Sequence, residues 1–249
     1  MKKPDRNILL IGGGRKPPMA MQFFLERARD LGSAQILLVG WASSEAQENF
    51  ESIREELTQA DYSEKGFILH TTASPPVSAR EKTNLRKVLA KATAVFFIGG
   101  DQSQLMDGLL DPEIKEWFLE AYQGGKVFGG TSAGTAIMSS QMIYGHETLD
   151  RVDHSLVWIR EGLGILPSTI LDQHFFRRGR HNRLLGAVSK HPCHLAIGVD
   201  EDASIIVTNE RHAQVIGGQI MIVDASRGEP FAMTILNCGD LFDLKERRR

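Results

Sequence analysis

Lys126-Val127-Phe128-Gly129-Gly130-Thr131-Ser132-Ala133-Gly134-Thr135-Ala136-Ile137-Met138 runs from a short apolar strand, through glycines, to one serine and then into small helix-forming residues. Within it, Gly130-Thr131-Ser132-Ala133-Gly134 has the form G-x-S-x-G. Where that pattern joins a strand to a helix, the serine sits on a strained turn and the small flanking residues let the backbone fold tightly beneath it. The turn lifts the hydroxyl clear of the sheet, and the first N–H groups of the next helix are free to meet a developing oxyanion. An ordinary glycine-rich strand-to-helix turn can carry the same letters. The company the serine keeps has to decide.

Upstream, Asn7-Ile8-Leu9-Leu10-Ile11 followed by Gly12-Gly13-Gly14 is an apolar run closed by glycines, as expected of a parallel strand buried on both faces. Helical spacing from Pro18 to Leu31, a strand over 34–41 and a helix over 45–60 follow. A short strand over 66–70, a helix over 79–91, a strand over 92–98 and a largely helical stretch over 101–123 lead to the serine. Strands alternating with helices predict an α/β fold with a parallel sheet sandwiched by helices. Beyond the serine, Tyr144 to Glu161 has no clean period. Ser168 to His174 reads as a strand and Leu184 to Lys190 as a helix. The C-terminal part is β-rich, with short runs at 195–199, 204–207, 213–216, 219–223 and 233–236, and Gly217-Gly218 reads as a hairpin turn between two of them. No repeat or linker interrupts the pattern, so one domain over residues 1–249 is expected.

The whole chain narrows the function classes. Its 249 residues are 42% hydrophobic and 24% charged, with a formal net charge of −2, enough for a well-buried core and no global attraction to nucleic acid or a membrane surface. No secretory or membrane-spanning run is apparent, and two cysteines are too few for a disulfide framework. A cytoplasmic protein is expected.

Of the remaining motifs, Gly12-Gly13-Gly14 lacks the third glycine of a dinucleotide fingerprint, since Pro17 stands there, and reads as a tight turn. Ile98-Gly99-Gly100-Asp101-Gln102 is more informative. Glycines at a strand end let a backbone N–H approach a substrate carbonyl, Gln102 adds an amide, and Asp101 suits a helix cap. His191 and His194 bracket Cys193 without a second ligand pair, a weak metal signal. His70, His146, His154, His181 and His212 carry no context of their own. His174 does: it ends an apolar strand, where α/β sheets place their chemistry, beside Asp172-Gln173 and the run Arg177 to Arg183. Those arginines are either a solvated face or a pocket for carboxylates, which arginine grips bidentately. A third member must orient the imidazole, and Asp200-Glu201-Asp202 after another apolar run offers three acids that spacing alone does not separate.

Taken together, Gly129 to Gly134, Ile98 to Gln102, Leu163-Gly164-Ile165-Leu166-Pro167, and Asp172-Gln173-His174-Phe175 with Arg178, Arg180 and Arg183 resemble the cyanophycinases, which share a peptidase family with aspartyl dipeptidase (peptidase E). The ordered match runs from the first strand to about Ala203. The resemblance implies a fold like the class I glutamine amidotransferases (flavodoxin-like), with serine in place of their elbow cysteine. It implies a triad of Ser132, His174 and Glu201, with Asp202 as the other choice of acid, and a substrate pocket of Gln102, Asp172, Gln173, Arg178, Arg180 and Arg183. Backbone N–H groups near Gly100 and Ala133 are the expected oxyanion donors. The implied reaction is hydrolysis of cyanophycin, an arginine-bearing poly-aspartate, to β-Asp-Arg dipeptides without metal or organic cofactor. A dimer is implied as well. The other readings are an α-aspartyl or isoaspartyl dipeptidase with the same triad, and a catalytically silent binding protein of the same fold.

Overall fold

The computed structural model describes residues 4–145, 149–228 and 230–249. The first half alternates as expected: β1 (Asn7–Ile11), α1 (Pro18–Arg29), β2 (Gln35–Val39), α2 (Ala46–Ala60), β3 (Ile68–Thr72), α3 (Ala79–Lys91) and β4 (Ala94–Phe97). Then come α4 (Gln102–Asp107), α5 (Pro112–Gln123), β5 (Val127–Thr131) and the one-turn α6 (Ala133–Ala136). The largely helical stretch expected over 101–123 is two helices. Proline is tolerated only in a helix's first turn, and Pro112 opens α5 behind Asp111, whose carboxylate accepts the N–H groups of Glu113 and Ile114.

The second half is richer in strands: β6 (Ser139–Ile143), β7 (Ile159–Glu161), β8 (Leu166–Gln173), α7 (His181–Lys190) and β9 (Leu195–Val199). They are followed by β10 (Ser204–Thr208), β11 (His212–Gly217), β12 (Gln219–Asp224), β13 (Ala232–Asn237) and β14 (Leu241–Asp243). A 3₁₀ turn over His154–Leu156 lies within the stretch that showed no period.

The strands form two sheets rather than one. The larger runs β14-β11-β10-β1-β5-β4-β2-β3, its half from β1 to β3 all parallel and β10 joining β1 antiparallel. The smaller runs β13-β12-β9-β8-β6-β7, with β8 parallel to both neighbours. The α/β class holds, and the second sheet is what the β-rich C-terminal half builds together with β6 to β8.

Alternation along the central strands shows how the layers stack. Leu9, Ile11, Ile36, Leu38 and Phe96 pack with Met21, Phe24 and Phe50 of α1 and α2. Their neighbours Ile8, Leu10, Leu37, Val39 and Phe97 face the other way, into a core shared with Leu85, Phe118, Leu171, Ile197 and Ile222. The smaller sheet and helices α3 and α5 therefore cover one face of the larger. The far face of the smaller sheet is closed by Leu184, Ala187 and Val188 of α7.

Gly217-Gly218 does not close a hairpin. β11 pairs with β10 and β14 in the larger sheet, whereas β12 pairs with β9 and β13 in the smaller. The two glycines carry the chain from one sheet to the other. It makes the same passage at Asp200 to Ala203, between β9 and β10, and through α6, between β5 and β6. Two of these corners hold Ser132 and the acids Asp200, Glu201 and Asp202.

Candidate functional site

Ser132 stands at the end of β5 with φ +51° and ψ −113°, a left-handed conformation that non-glycine residues rarely adopt. The elbow's glycines are demanded by close approach. A Cβ on Gly130 would press into the Gly134 carbonyl, and one on Gly134 would meet the Phe97 backbone of β4. The elbow is therefore bedded on itself and on the neighbouring strand, leaving the serine half-buried at the surface of a cleft. The following helix lasts one turn, because β6 departs at once for the second sheet.

His174, directly after β8, brings Nε2 to 2.9 Å from the Ser132 Oγ. On the other side of the ring, Nδ1 stands 2.6 Å from Glu201 Oε1. An ionised carboxylate only accepts, so the Nδ1–H faces Glu201 and the Nε2 lone pair faces the serine. Burial depresses the His174 pKa, opposed by its hydrogen bond to Glu201 and assisted by the positive charges of Arg178 and Arg180. The imidazole is thus held neutral below its ordinary range, as a general base at neutral pH must be.

The three acids after β9 have three separate partners. Asp200 accepts the backbone N–H of Arg177 at 2.9 Å, Glu201 takes His174, and Asp202 accepts the backbone N–H of Arg15 at 2.6 Å. Asp202, the alternative acid, is committed to the loop after β1.

Gly99 and Gly100 lie across from the serine: a Cβ on Gly99 would stand 3.4 Å from the Ser132 Cβ, and Gly100 has φ +136°. Asp101 caps α4, accepting the N–H of Ser103 at 2.7 Å. Gln102 is buried with its Nε2 on the Ile143 carbonyl at 3.2 Å, while its Oε1 has no hydrogen-bond partner among the described residues. Gln173 places Oε1 3.4 Å from the Ser132 Oγ.

Of the three arginines read as a carboxylate pocket, Arg178 lines the cleft, and Arg180 and Arg183 point into the protein. Arg183 forks onto the buried Asp172, with Nε 2.7 Å from Oδ2 and Nη2 on Oδ1. Arg180 donates from Nη1 to the Gln173 carbonyl at 2.6 Å and lies 3.6 Å from Asp172. Burial lowers its pKa to about 10, which leaves it charged at neutral pH. A buried carboxylate between strand and helix needs such partners, and they brace the wall that carries Gln173 and His174. Lys16, Glu45 and Asn49 also line the cleft. They come from the loop after β1 and the start of α2, and no motif marks them in the sequence. His191 and His194 lie away from this cleft, rings 5.5 Å apart edge to face; among the described residues no group of three His, Cys, Asp or Glu side chains is placed to hold a metal ion. His146 lies outside the described residues.

The family model of peptidase family S51 matches residues 8–215, which span every residue of this cleft. The chain belongs to peptidase family S51. It is similar to a cyanophycinase of Geminocystis herdmanii, 40% identical over 161 residues, which cover 64% of this chain and 57% of that one. A cyanophycinase of Trichormus variabilis is 36% identical over 185 residues, 67% of this chain and 62% of the relative. The match thus spans about three fifths of those relatives' lengths. Among solved structures, a peptidase from an acI-B1 actinobacterium superposes with a TM-score of 0.71 over 97% of this chain and 98% of its own, at 21% identity. A putative peptidase E protein from Listeria monocytogenes superposes with 0.56 over 94% and 100%, at 13% identity. These two likenesses show the fold, in keeping with the flavodoxin-like class that the family resemblance implied. No helix among the described residues is long and apolar enough to cross a membrane.

Proposed function

We propose that this S51 chain is a serine exopeptidase that hydrolyses cyanophycin to β-Asp-Arg dipeptides. The observation that carries the proposal is the continuous hydrogen-bonded line from Ser132 Oγ through His174 to Glu201, at 2.9 and 2.6 Å, on a serine in left-handed strain. The substrate class is drawn from the cyanophycinase relatives.

In this mechanism His174 Nε2 takes the Ser132 proton as Oγ attacks the aspartyl carbonyl. The N–H groups of Gly100 and Ala133 receive the oxyanion, and Glu201 steadies the imidazolium. His174 returns the proton to the departing amine, and water then cleaves the acyl-enzyme by the reverse proton path. Arg178 on the cleft wall binds the α-carboxylate that a β-linked residue leaves free. Gln102 and Gln173 engage the peptide backbone; the buried Oε1 of Gln102, which has no partner among the described residues, accepts an N–H of the substrate. Asp172, Arg180 and Arg183 keep this wall rigid. No cofactor enters any step.

Because both sheets contribute to this line, we take residues 1–249 as one domain. The two exposed free cysteines, Cys193 and Cys238, suit a reducing cytoplasm. A homodimer is part of the same reading and is open to sedimentation analysis.

The test offers purified protein cyanophycin, β-Asp-Arg, and α-aspartyl and isoaspartyl dipeptides side by side, with products identified by mass spectrometry. Release of β-Asp-Arg from polymer is expected, and Ser132→Ala should lower kcat at least ~10³-fold. Turnover confined to small aspartyl peptides would instead assign a dipeptidase. Absence of serine labelling by a covalent inhibitor would leave a binding protein.

A further inference from the structure

Three successive carbonyl groups at the end of β1 each receive one segment of the cleft. The Ile11 carbonyl accepts the backbone N–H of Ser132 at 3.0 Å, the Gly12 carbonyl that of His174 at 2.8 Å, and the Gly13 carbonyl that of Asp202, next to Glu201, at 3.0 Å. β1 itself is clamped between β5 and β10 inside the larger sheet. A rigid strand therefore ties together residues that stand 42 and 27 positions apart along the chain.

The frame is pinned from within by Thr135, which is wholly buried. Its Oγ1 accepts the Ile11 N–H at 3.0 Å and stands 2.7 Å from the Ile11 carbonyl and 2.8 Å from that of Gly130, between which its single proton is shared. At Gly13, with φ +127°, a Cβ would fall 2.6 and 2.7 Å from Nε2 and Nδ1 of His174. The imidazole occupies the volume that any side chain there would need. A plain strand-to-helix turn requires the glycine conformation. It does not require that three consecutive carbonyls each hold a different part of the site.

We propose that Ile11-Gly12-Gly13, pinned by Thr135, is a positioning frame that sets the spacing of Ser132, His174 and Glu201, with Thr135 and Gly13 as positioning residues. The inference rests on the serine peptidase reading above. Its physical force is the steep penalty for misplacing a nucleophile and its base, about 10²-fold for 1 Å.

Thr135→Val keeps the shape and removes the hydroxyl, and Thr135→Ser keeps the hydroxyl. For each, kcat and KM on β-Asp-Arg polymer are measured per serine titrated by a covalent inhibitor, with the pH profile of kcat/KM and the melting temperature alongside. The frame predicts that Thr135→Val loses about ten- to a hundredfold in kcat per titrated serine, with KM within about twofold and the acid limb displaced. Thr135→Ser should recover to within about threefold. Gly13→Ala, strained at φ +127° and pressed against the imidazole, should lose kcat to a similar degree. A folded Thr135→Val or Gly13→Ala with wild-type kcat per titrated serine and an unmoved pH profile, its defect confined to melting temperature, overturns the frame. Undiminished turnover by Ser132→Ala brings down the underlying reading instead, and Ser132→Ala leaves the frame residues untouched, so the two failures are distinct.

Discussion

Arg183 and Asp172 form a forked ion pair with both side chains withdrawn from water, Nε 2.7 Å from Oδ2 and Nη2 on Oδ1. Truncating Arg183 leaves the buried Asp172 with the looser Arg180, 3.6 Å away, as its countercharge. Arg183→Ala is expected to destabilise the protein by about 3–5 kcal/mol in urea denaturation. The exposed Arg178, changed to Ala, should cost no more than ~0.5 kcal/mol and act instead on KM for substrates with a free α-carboxylate. Equal destabilisation by the two changes would contradict this division between wall and cleft.

Glu201 and Asp202 are adjacent, yet one touches the imidazole and the other a loop amide. Glu201→Gln should lower kcat by ~10²- to 10⁴-fold, because an amide neither fixes the required tautomer nor balances the imidazolium. Asp202→Asn retains an oxygen for the Arg15 N–H and tolerates the left-handed backbone at φ +58°, so kcat should stay within about threefold. Steady-state kinetics on the two variants decides which acid serves His174.

The pH profile follows from the surroundings of His174. Since burial holds its pKa below the ordinary value of about 6.5, kcat/KM should rise through an acid limb centred below that pH. Removing the repelling charge in Arg178→Ala should move this limb to higher pH. Removing the attracting one in Glu201→Gln should move it lower, in whatever activity remains. A limb centred above 6.5 in the wild type would contradict the assignment of His174 as the base.

Gln102 carries a buried side-chain oxygen without a partner among the described residues. If substrate supplies the missing donor, Gln102→Leu should raise KM about five- to tenfold, the worth of roughly one neutral hydrogen bond, with kcat changed less. A fall in kcat at unchanged KM would place the group in the transition state rather than in binding.

Much of this was legible in the residues themselves. The apolar runs ending in glycine at Ile11, Ile98 and Gly129 announce buried parallel strands, and the same punctuation marks the loops where the site assembles. Ser132 and His174 stand out because each follows such a strand. The second sheet was not legible. Ser139-Ser140-Gln141-Met142-Ile143 has no alternation strong enough to declare a strand beside β8 and β7, and Gly217-Gly218 has the letters of a hairpin while serving as a passage between sheets. Which arginine faces the cleft was equally hidden. Arg178, Arg180 and Arg183 look alike in one dimension, and only the placement of Asp172 beneath them sends two of the three inward. The roles of Asp200, Glu201 and Asp202 separate for the same reason: their partners arrive from Arg177, His174 and Arg15, far away in the chain.

The antiparallel pairing of β1 with β10 sets Asn7 beside Thr208 and Ile11 beside Ser204. The serine and histidine are held by backbone carbonyls of the first strand's end, whereas Glu201 reaches the ring from the turn that precedes β10. β8 is seated between β6 and β9, and the Glu201 turn is bounded by β9 on one side and by β10, which pairs with β1, on the other. The acid of the line is thus carried on the return passage between the sheets, so the same turn that stitches the two layers together also supplies the partner of His174.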